Sequence, residues 1–347
     1  MEEKDELNRQ LPARVGAGGT ALVRLGKQGS LASRGYEDLL VATANQLLKE
    51  GCFAYYRKEY ELAVKSFRLA AEMALADAQS KLGYMYNCGF GVAQNYEEAI
   101  KWYRLAANQG LAKAQINLGL MYENGWGVAQ DDEEAIRWYR TAADQGDLFA
   151  QNNLGFLYEI GMCVAQDFEE AVRWYRMAAD QGDAEAQSKL GWRYAIGRGV
   201  AQDDDEAIKW FLLAADQGQA YAQKNLGVMY ENGRGVAQDD EEAVRWYRMA
   251  ADQGDEDAQN SLGLRYANGQ GVKQSEKEAL KWYRRAAKNG HSGAQYILGS
   301  RYANGVGVAE NSKEAVKWYR QAANRGHDGA QQELLKLLRD SKKVGGV

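Results

Sequence analysis

The stretch AQKNLGVMYENGRGVAQDDEEAVRWYRMAADQG, residues 222–254, decides the fold, because close copies of it recur along the chain at a step of 36 residues. Its Leu-Gly pair recurs at Leu82-Gly83, Leu118-Gly119, Leu154-Gly155, Leu190-Gly191, Leu226-Gly227, Leu262-Gly263 and Leu298-Gly299. Its Trp-Tyr pair keeps the same step, with Trp210-Phe211 as the one variant. Seven copies at a single period indicate a stack of similar supersecondary units and not a globular core with one centre.

Composition favours a helical protein that does not bind nucleic acid. The 347 residues contain one proline, Pro12, and 46% of them are hydrophobic, which suits helices because proline breaks them. The net charge of −5 argues against electrostatic binding to nucleic acid. Cys52, Cys88 and Cys163 share no regular spacing, which fits a reducing compartment or a fold that does not depend on disulfides.

Residues 1–35 differ from the rest of the chain and predict a flexible tail. The first ten residues carry charges of mixed sign, which excludes the positive start of a secretory signal. We therefore expect a cytoplasmic protein, while a periplasmic location or secretion by another route stays open. No run in this segment approaches the roughly 20 apolar residues that cross a bilayer. Gly16, Gly18 and Gly19 lack the third-glycine spacing and the preceding strand of a dinucleotide-binding loop.

Each full repeat predicts two antiparallel helices, A and B. Helix A carries Ala186, Leu190 and Tyr194 at helical spacing, and Gly191 would let its partner helix approach closely. A loop of the form Gly-x-Gly-Val ends helix A, where glycine can adopt the positive φ of a helix C-cap. Helix B is expected to bury its Trp-Tyr pair and its alanines.

Helix B begins with a predicted capping pair. An Asn, Asp or Ser side chain accepts from exposed backbone N–H groups, and a Glu three residues later reaches back. The seven pairs are Asn95/Glu98, Asp131/Glu134, Asp167/Glu170, Asp203/Glu206, Asp239/Glu242, Ser275/Glu278 and Asn311/Glu314. Acid-first pairs at i,i+4, such as Glu241/Arg245, then predict a solvated outer face on helix B.

The two ends of the chain depart from the repeat. Residues 36–75 predict a degenerate helix pair, in which Ser66-Phe67 replaces Trp-Tyr, because a terminal repeat leaves one face in solvent. Residues 76–326 hold the seven repeats. Residues 327–347 predict a C-terminal capping helix followed by a short tail.

The pattern A-x-x-x-L-G-x-x-Y-x-x-G-x-G-V…A-x-x-W-Y-x-x-A-A-x-x-G, over residues 76–326, resembles the Sel1-like repeat, a relative of the tetratricopeptide repeat. The resemblance implies a right-handed α-solenoid that serves as a scaffold or adaptor and not as a catalyst. A disulfide-rich branch of that family carries cysteines where this chain has Ala107 and Gln115, so that branch is excluded. One repeat departs from the pattern, since Cys163 stands at the second loop glycine. If that position needs positive φ, the cysteine is strained there.

No residues for catalysis, a cofactor or a metal stand out from the repeat. His291 and His327 occupy equivalent positions in neighbouring repeats, roughly 8–10 Å or more apart, too far to share one metal ion. Nucleophilic catalysis needs a base beside a Ser or Cys, and no histidine precedes His291. Acidic pairs such as Asp131-Asp132 are better explained by capping at the positive end of the helix dipole.

Residues that the repeat itself does not require predict the partner-binding surface, because Trp, Tyr and Arg are enriched in interface hot spots. These candidates, in repeats two to five, are Trp126, Phe149, Phe156, Trp192, Arg193, Arg198, Tyr221 and Arg234. We expect Trp126 and Tyr221 to be exposed, and the column of Ile116 and Tyr296 to face a concave groove. For the Trp192 column, exposure in that groove and packing between repeats both stay open.

The leading functional hypothesis is a monomeric, non-catalytic scaffold that binds a partner protein or peptide in the groove. An alternative within the same class is a dedicated, immunity-type inhibitor of a secreted bacterial enzyme. A third hypothesis, a hydrolase acting on cell-wall fragments, lacks the residues that hydrolysis would need.

Overall fold

The computed structural model describes residues 31–344, with side chains from 37 to 339. This part of the chain forms helices and no strand, which confirms the all-α prediction for it. The helices are α1 (Leu31–Tyr56), α2 (Tyr60–Glu72), α3 (Ala76–Cys88), α4 (Tyr96–Asn108), α5 (Ala112–Asn124), α6 (Asp132–Ala143), α7 (Leu148–Ile160), α8 (Phe168–Asp180), α9 (Ala184–Ile196), α10 (Asp204–Asp216), α11 (Ala220–Asn232), α12 (Asp240–Asp252), α13 (Glu256–Asn268), α14 (Glu276–Asn289), α15 (Ser292–Asn304), α16 (Ser312–Asn324) and α17 (Asp328–Val344). The tail predicted at 1–35 lies outside the described residues, except that residues 31–35 already belong to α1.

The described residues fall into two compact units. The N-terminal unit ends at Gln166 and the C-terminal unit begins at Asp167. Within each unit, the helices of one repeat pack as a pair, and helix B also packs against helix A of the next repeat. This sequential stacking of helix pairs is the arrangement of an α-solenoid. No helix among residues 31–344 combines the length and the apolar character needed to span a membrane.

The helices of a repeat approach closely because helix A has no side chain where the second aromatic residue of helix B sits. Tyr247 on α12 is 1% exposed. A Cβ atom placed on Gly227 of α11 would lie 2.6 Å from its ring. The same glycine-to-ring contact recurs in other repeats, for example between Gly191 and Phe211. The close approach predicted at Gly191 is therefore confirmed.

Of the predicted capping pair at the start of helix B, the side-chain acceptor is confirmed, but the Glu that reaches back is not. Asp239 accepts a hydrogen bond from the Glu242 backbone N–H at 3.0 Å, and all seven predicted cap side chains accept in this way. The reach-back of Glu242 is wrong, because the Asp239 N–H already donates to the Tyr230 carbonyl at 3.0 Å. Glu242 instead pairs with Arg245 at i,i+3, so the predicted partner of Arg245, Glu241, is also wrong.

A row of buried amides connects successive repeats, and the sequence analysis overlooked it. Gln223 is 2% exposed, and its Nε2 donates to the Ala215 carbonyl of the preceding helix B at 3.2 Å. Its Oε1 accepts from Gln253 Nε2 at 2.7 Å. Because a buried amide without partners is costly, these paired amides favour one stacking of the helices.

Candidate partner-binding surface

Helix A of three successive repeats in the C-terminal unit leaves an apolar side chain in solvent at the same place. Trp192 on α9 is 38% exposed, Val228 on α11 is 36% exposed and Leu264 on α13 is 40% exposed. We call these three residues the apolar stripe. In these three repeats the Trp192 column is therefore partly exposed, although Trp192 also contacts a residue of the next repeat.

Tyr221 flanks the stripe and is itself 38% exposed, as predicted. Its ring centroid lies 6.3 Å from that of Trp192, and the two planes cross at 75°. This edge-to-face contact is a favoured arrangement of aromatic rings. The Lys224 ammonium lies 4.9 Å from the Tyr221 ring centroid, a cation–π contact. The tyrosine therefore lies between the stripe and a charged region.

Lys224 and Asp257 form the ion pair at the edge of the stripe, with 2.9 Å between Nζ and Oδ2. The pair links α11 to α13. Burial alone would lower the pKa of Lys224, but the hydrogen bond and the charge of Asp257 outweigh burial and raise that pKa. Lys224 is therefore charged at neutral pH and already has an anionic partner.

Further carboxylates and a histidine surround this pair. Asp255 caps α13, accepting from the Ala258 N–H at 2.7 Å, and burial raises the pKa of its carboxyl, with Glu256 adding repulsion. His291 caps α15 through Nδ1, which accepts from the Ala294 N–H at 2.9 Å. Burial lowers the pKa of His291, so the imidazole is neutral near pH 7. The edge of the stripe thus carries more negative than positive charge.

In the N-terminal unit, exposed apolar residues lie on α1, α2 and α4, and a further set lies on α7 and its following loop. Phe149 is 45% exposed, as its column predicted, and Phe156, in the Trp192 column for which both alternatives were open, is 41% exposed. Ile160 and Met162 continue the same exposed set. The expectation for the neighbouring column of Ile116 is wrong, because Ile116 is 5% exposed.

Tyr296, the other residue predicted to face the groove in that column, is half-buried. Its ring stacks on the imidazole of His327, with 4.5 Å between centroids. It also contacts the buried ring of Tyr319. Tyr296 therefore helps to hold α17 against the last repeat, and its exposure was predicted wrongly because α17 covers it.

The loop candidates contact the preceding helix B, and among them Arg198 is also exposed. Trp126 is half-buried, and its ring stacks on that of Tyr96 with 5.9 Å between centroids and 14° between planes. Its predicted exposure is therefore wrong. The Arg198 guanidinium lies 3.8 Å from the ring centroid of Phe168, a cation–π contact.

Two further arginine candidates are also engaged within the protein. Arg234 pairs with Asp204 at 2.5 Å and donates to the Ala195 carbonyl at 2.6 Å. Arg193 is 4% exposed, and its guanidinium lies 5.5 Å from the Phe168 ring centroid. The structure thus brings Trp192 and Tyr221 together on one surface, and it removes Arg193 from that surface.

Val228, Leu264 and Lys224 were missed as site residues by the sequence analysis. The signal was present, because Val228 and Leu264 stand 36 and 72 residues after Trp192 in the same column. Their side chains are aliphatic and not of the types, Trp, Tyr and Arg, that are enriched in interface hot spots. Exposure of a whole column matters more than the size of one member, because apolar contact area adds up along neighbouring helices.

A cleft of about 390 Å³ in the N-terminal unit contains none of the predicted site residues and is lined in part by Arg137, Arg140 and Cys163. Cys163 has the predicted positive φ, 63°. Burial, together with a hydrogen bond to Asp132, raises the pKa of the Cys163 thiol to about 12. A protonated thiol is a poor nucleophile and a poor metal ligand. Among the described residues, no group of three or more His, Cys, Asp or Glu side chains could hold a metal ion.

Comparison with known proteins assigns the repeat. The Sel1 repeat model matches residues 76–111, 112–147, 148–183, 184–219, 220–255, 256–291 and 292–327, more than two thirds of the chain. No curated protein matches the chain.

Two solved structures resemble the chain over most of its length. A protective antigen present in uropathogenic Escherichia coli strains, which displays an SLR fold, is 35% identical, with a TM-score of 0.76 over 88% of this chain and 67% of that one. A Sel1 repeat protein from Oxalobacter formigenes is 34% identical, with a TM-score of 0.71 over 87% of this chain and 90% of that one. The repeats and these two likenesses agree, and the chain belongs to the Sel1 repeat family.

Proposed function

We propose that this protein is a non-catalytic scaffold that binds a partner protein through helix A of the C-terminal unit, centred on Trp192 and Tyr221. The observation that carries the proposal is the exposure of Trp192. All nine tryptophans lie within the described residues, and the other eight are buried or half-buried. An exposed tryptophan in edge contact with an exposed tyrosine resembles the aromatic anchors of protein interfaces.

The chemistry of the surface indicates what the partner presents. The apolar stripe suits a segment with aliphatic or aromatic side chains. Beside it stand Glu256 and Asp257, both exposed, with Lys224 as the neighbouring cation. Opposite charges across an interface speed association and reject wrong partners. We therefore infer a partner segment that places a Lys or Arg next to its apolar residues.

The non-catalytic part of the proposal is supported by the state of the reactive side chains. Nδ1 of His291 and Nδ1 of His327 each accept a backbone N–H bond at a helix start, which leaves them in structural roles. The raised pKa of Cys163 keeps its thiol protonated. Sel1 repeat proteins as a family are generally scaffolds.

The test uses the full chain and a partner captured by affinity purification and identified by mass spectrometry. Binding of the purified partner is then titrated against the wild type, Trp192→Ala and Tyr221→Ala. We expect each change to weaken binding at least tenfold, because truncating an interface hot spot costs about 2 kcal/mol or more. The far-ultraviolet circular dichroism spectrum of each variant should stay that of the wild type.

The matched control is Met249→Ala, because Met249 is a 46% exposed apolar residue on helix B of the same unit. Its binding should stay within about twofold of the wild type, as expected for a contact outside the hot spot. If Met249→Ala weakens binding as much as Trp192→Ala, the surface lies elsewhere. If the captured partner is a secreted enzyme that loses activity on binding, the scaffold is the inhibitor of the alternative hypothesis.

A further inference from the structure

The loop after helix A packs against the preceding repeat. This contact determines which residue is met by the side chain that stands between the two loop glycines. In the C-terminal unit, a Cβ atom on Gly235 would lie 2.5 Å from the Asp204 carbonyl oxygen, at the start of the preceding helix B. Arg234, the residue before this glycine, is thereby held over the Asp204 side chain, 30 residues earlier. The same close approach recurs at Gly127 over Tyr96. A loop residue thus pairs with the first residue of the preceding helix B, and we call the two a clamp pair.

In the N-terminal unit, the first two clamp pairs are rings on rings. Tyr60 begins α2, and its ring stacks on Phe90 with 4.9 Å between centroids and 17° between planes. Tyr96 begins α4 and stacks on Trp126 in the same manner. Both members of each of these two pairs are aromatic. The third start, Asp132 on α6, instead has Met162 at the loop position and a hydrogen bond to the Cys163 thiol.

In the C-terminal unit, the clamp pairs involve guanidinium groups. Phe168 begins α8 and lies under Arg198. Asp204 begins α10 and pairs with Arg234 through two hydrogen bonds, at 2.5 and 3.2 Å. A ring or a carboxylate at the start of helix B therefore meets a cation.

The next two repeats keep the ionic clamp but move the arginine from the loop to helix A. Asp240 begins α12 and pairs with Arg265, 25 residues later, at 3.3 Å. Glu276 begins α14 and pairs with Arg301, also 25 residues later. In both repeats the loop position that held Arg234 carries an uncharged residue, Gln270 or Val306. In the C-terminal unit, each of the three acidic starts, Asp204, Asp240 and Glu276, thus pairs with one arginine, from one of two positions.

We propose that the clamp pairs of the C-terminal unit form a matching code, in which the first residue of helix B selects the repeat that can stack upon it. Seven similar repeats share the same core, so the core alone does not distinguish one neighbour from another. A misplaced repeat would set an indole over a carboxylate, leaving that charge without its cation. Such a mismatch would destabilise the wrong pairings of repeats that can form during folding.

The test exchanges one clamp pair for the other kind in the full chain, using Asp204→Tyr, Arg234→Trp and the double variant. Arg234→Trp leaves Asp204 beneath an indole and should lower the thermal unfolding midpoint by roughly 5 °C. Asp204→Tyr should cost less than half of this, because a ring under a guanidinium is the arrangement of Phe168 and Arg198. The double variant recreates the pair of Tyr96 and Trp126 and should recover most of the loss.

Two control variants measure the cost of each substitution without a clamp. Arg245→Trp removes an exposed arginine from α12, and Asp205→Tyr removes the exposed carboxylate next to Asp204. If the double variant shows the sum of the two single losses, the positions do not select each other and the code is overturned. If Arg234→Trp does not fold, the charge exchange Asp204→Arg with Arg234→Asp decides, because only a code predicts that the exchanged pair is more stable than either single change.

Discussion

Similar residues have opposite roles on the exposed face of helix A and in the clamp pairs of this protein. Trp192 and Trp126 both stand outside the repeated Trp-Tyr pair, yet Trp192 is 38% exposed and Trp126 stacks on Tyr96. The difference follows from what each backbone position faces. Trp126 lies next to Gly127, which touches the preceding repeat, whereas Trp192 lies on the exposed side of α9. A residue that the repeat does not require is thus not always free to bind a partner.

The clamps themselves differ between the two units. In the N-terminal unit, the clamp pairs at Tyr60 and Tyr96 are stacked rings. In the C-terminal unit, the clamp pairs contain guanidinium groups. Stacked rings respond little to added salt, whereas partly exposed ion pairs are screened by it. The two regions therefore give separate ways to test where stability and binding reside.

The largest effect on stability is expected from Arg265→Ala. Arg265 lies between Glu231 and Asp240 with its side chain 8% exposed, so its removal leaves two facing carboxylates without a cation. Breaking a buried ion pair costs about 3–5 kcal/mol, and we expect about 3 because the carboxylates are partly exposed. Urea denaturation of the full chain measures this loss. Arg245→Ala, at a pair whose arginine is 70% exposed, should cost less than about 0.5 kcal/mol, and equal losses would contradict the clamp role.

A smaller effect separates the two tryptophans. Trp126→Ala removes a half-buried stacked ring and should lower the free energy of unfolding by about 2 kcal/mol while leaving partner binding unchanged. Trp192→Ala should lower it by less than about 1 kcal/mol, since its ring is partly in solvent. Thermal melts and binding titrations on both variants measure the contrast. A loss of binding in Trp126→Ala with no loss of stability would reverse the two assignments.

The smallest effect is expected at Cys163, which takes the place of a loop glycine. Its φ of 63° is unfavourable for a residue with a side chain, by roughly 1–2 kcal/mol. Cys163→Gly should therefore stabilise the N-terminal unit by about 1 kcal/mol or less, because glycine also gains freedom in the unfolded chain. Cys163→Ala keeps the strain without the thiol and should give no such gain in a thermal melt. A gain from alanine as large as that from glycine would mean that the thiol, and not the backbone, carries the cost.

Much of the fold could be predicted from local patterns. The repeat of Leu226-Gly227, the helix caps and the loop glycines all act between residues that are close in sequence, so their outcome could be read from one repeat. The predicted reach-back of Glu242 failed because the Asp239 N–H was already bonded to Tyr230 of helix A. That competition depends on how the two helices meet, which no cap motif contains.

The candidate surface could be predicted only in part. Tyr221 and Phe149 are exposed as predicted, whereas Trp126 is half-buried and Arg193 is buried. Exposure depends on the neighbouring repeat, and the clamp partners lie 25 or 30 residues apart. The sequence of a single repeat therefore does not decide whether such a residue is exposed or covered by the neighbouring repeat.

By itself, the sequence determined the period, the helical character, the family and the positions of the buried Leu-Gly pairs and of the buried second residue of each Trp-Tyr pair, because these follow from a pattern that all repeats share. The tertiary structure decided what the variable residues do. Helix A turns Trp192 and Tyr221 outward, and the loop glycines press Trp126 and Arg234 onto the preceding helix B. The physical reason is that burial belongs to a pair of stacked repeats, and not to either repeat alone.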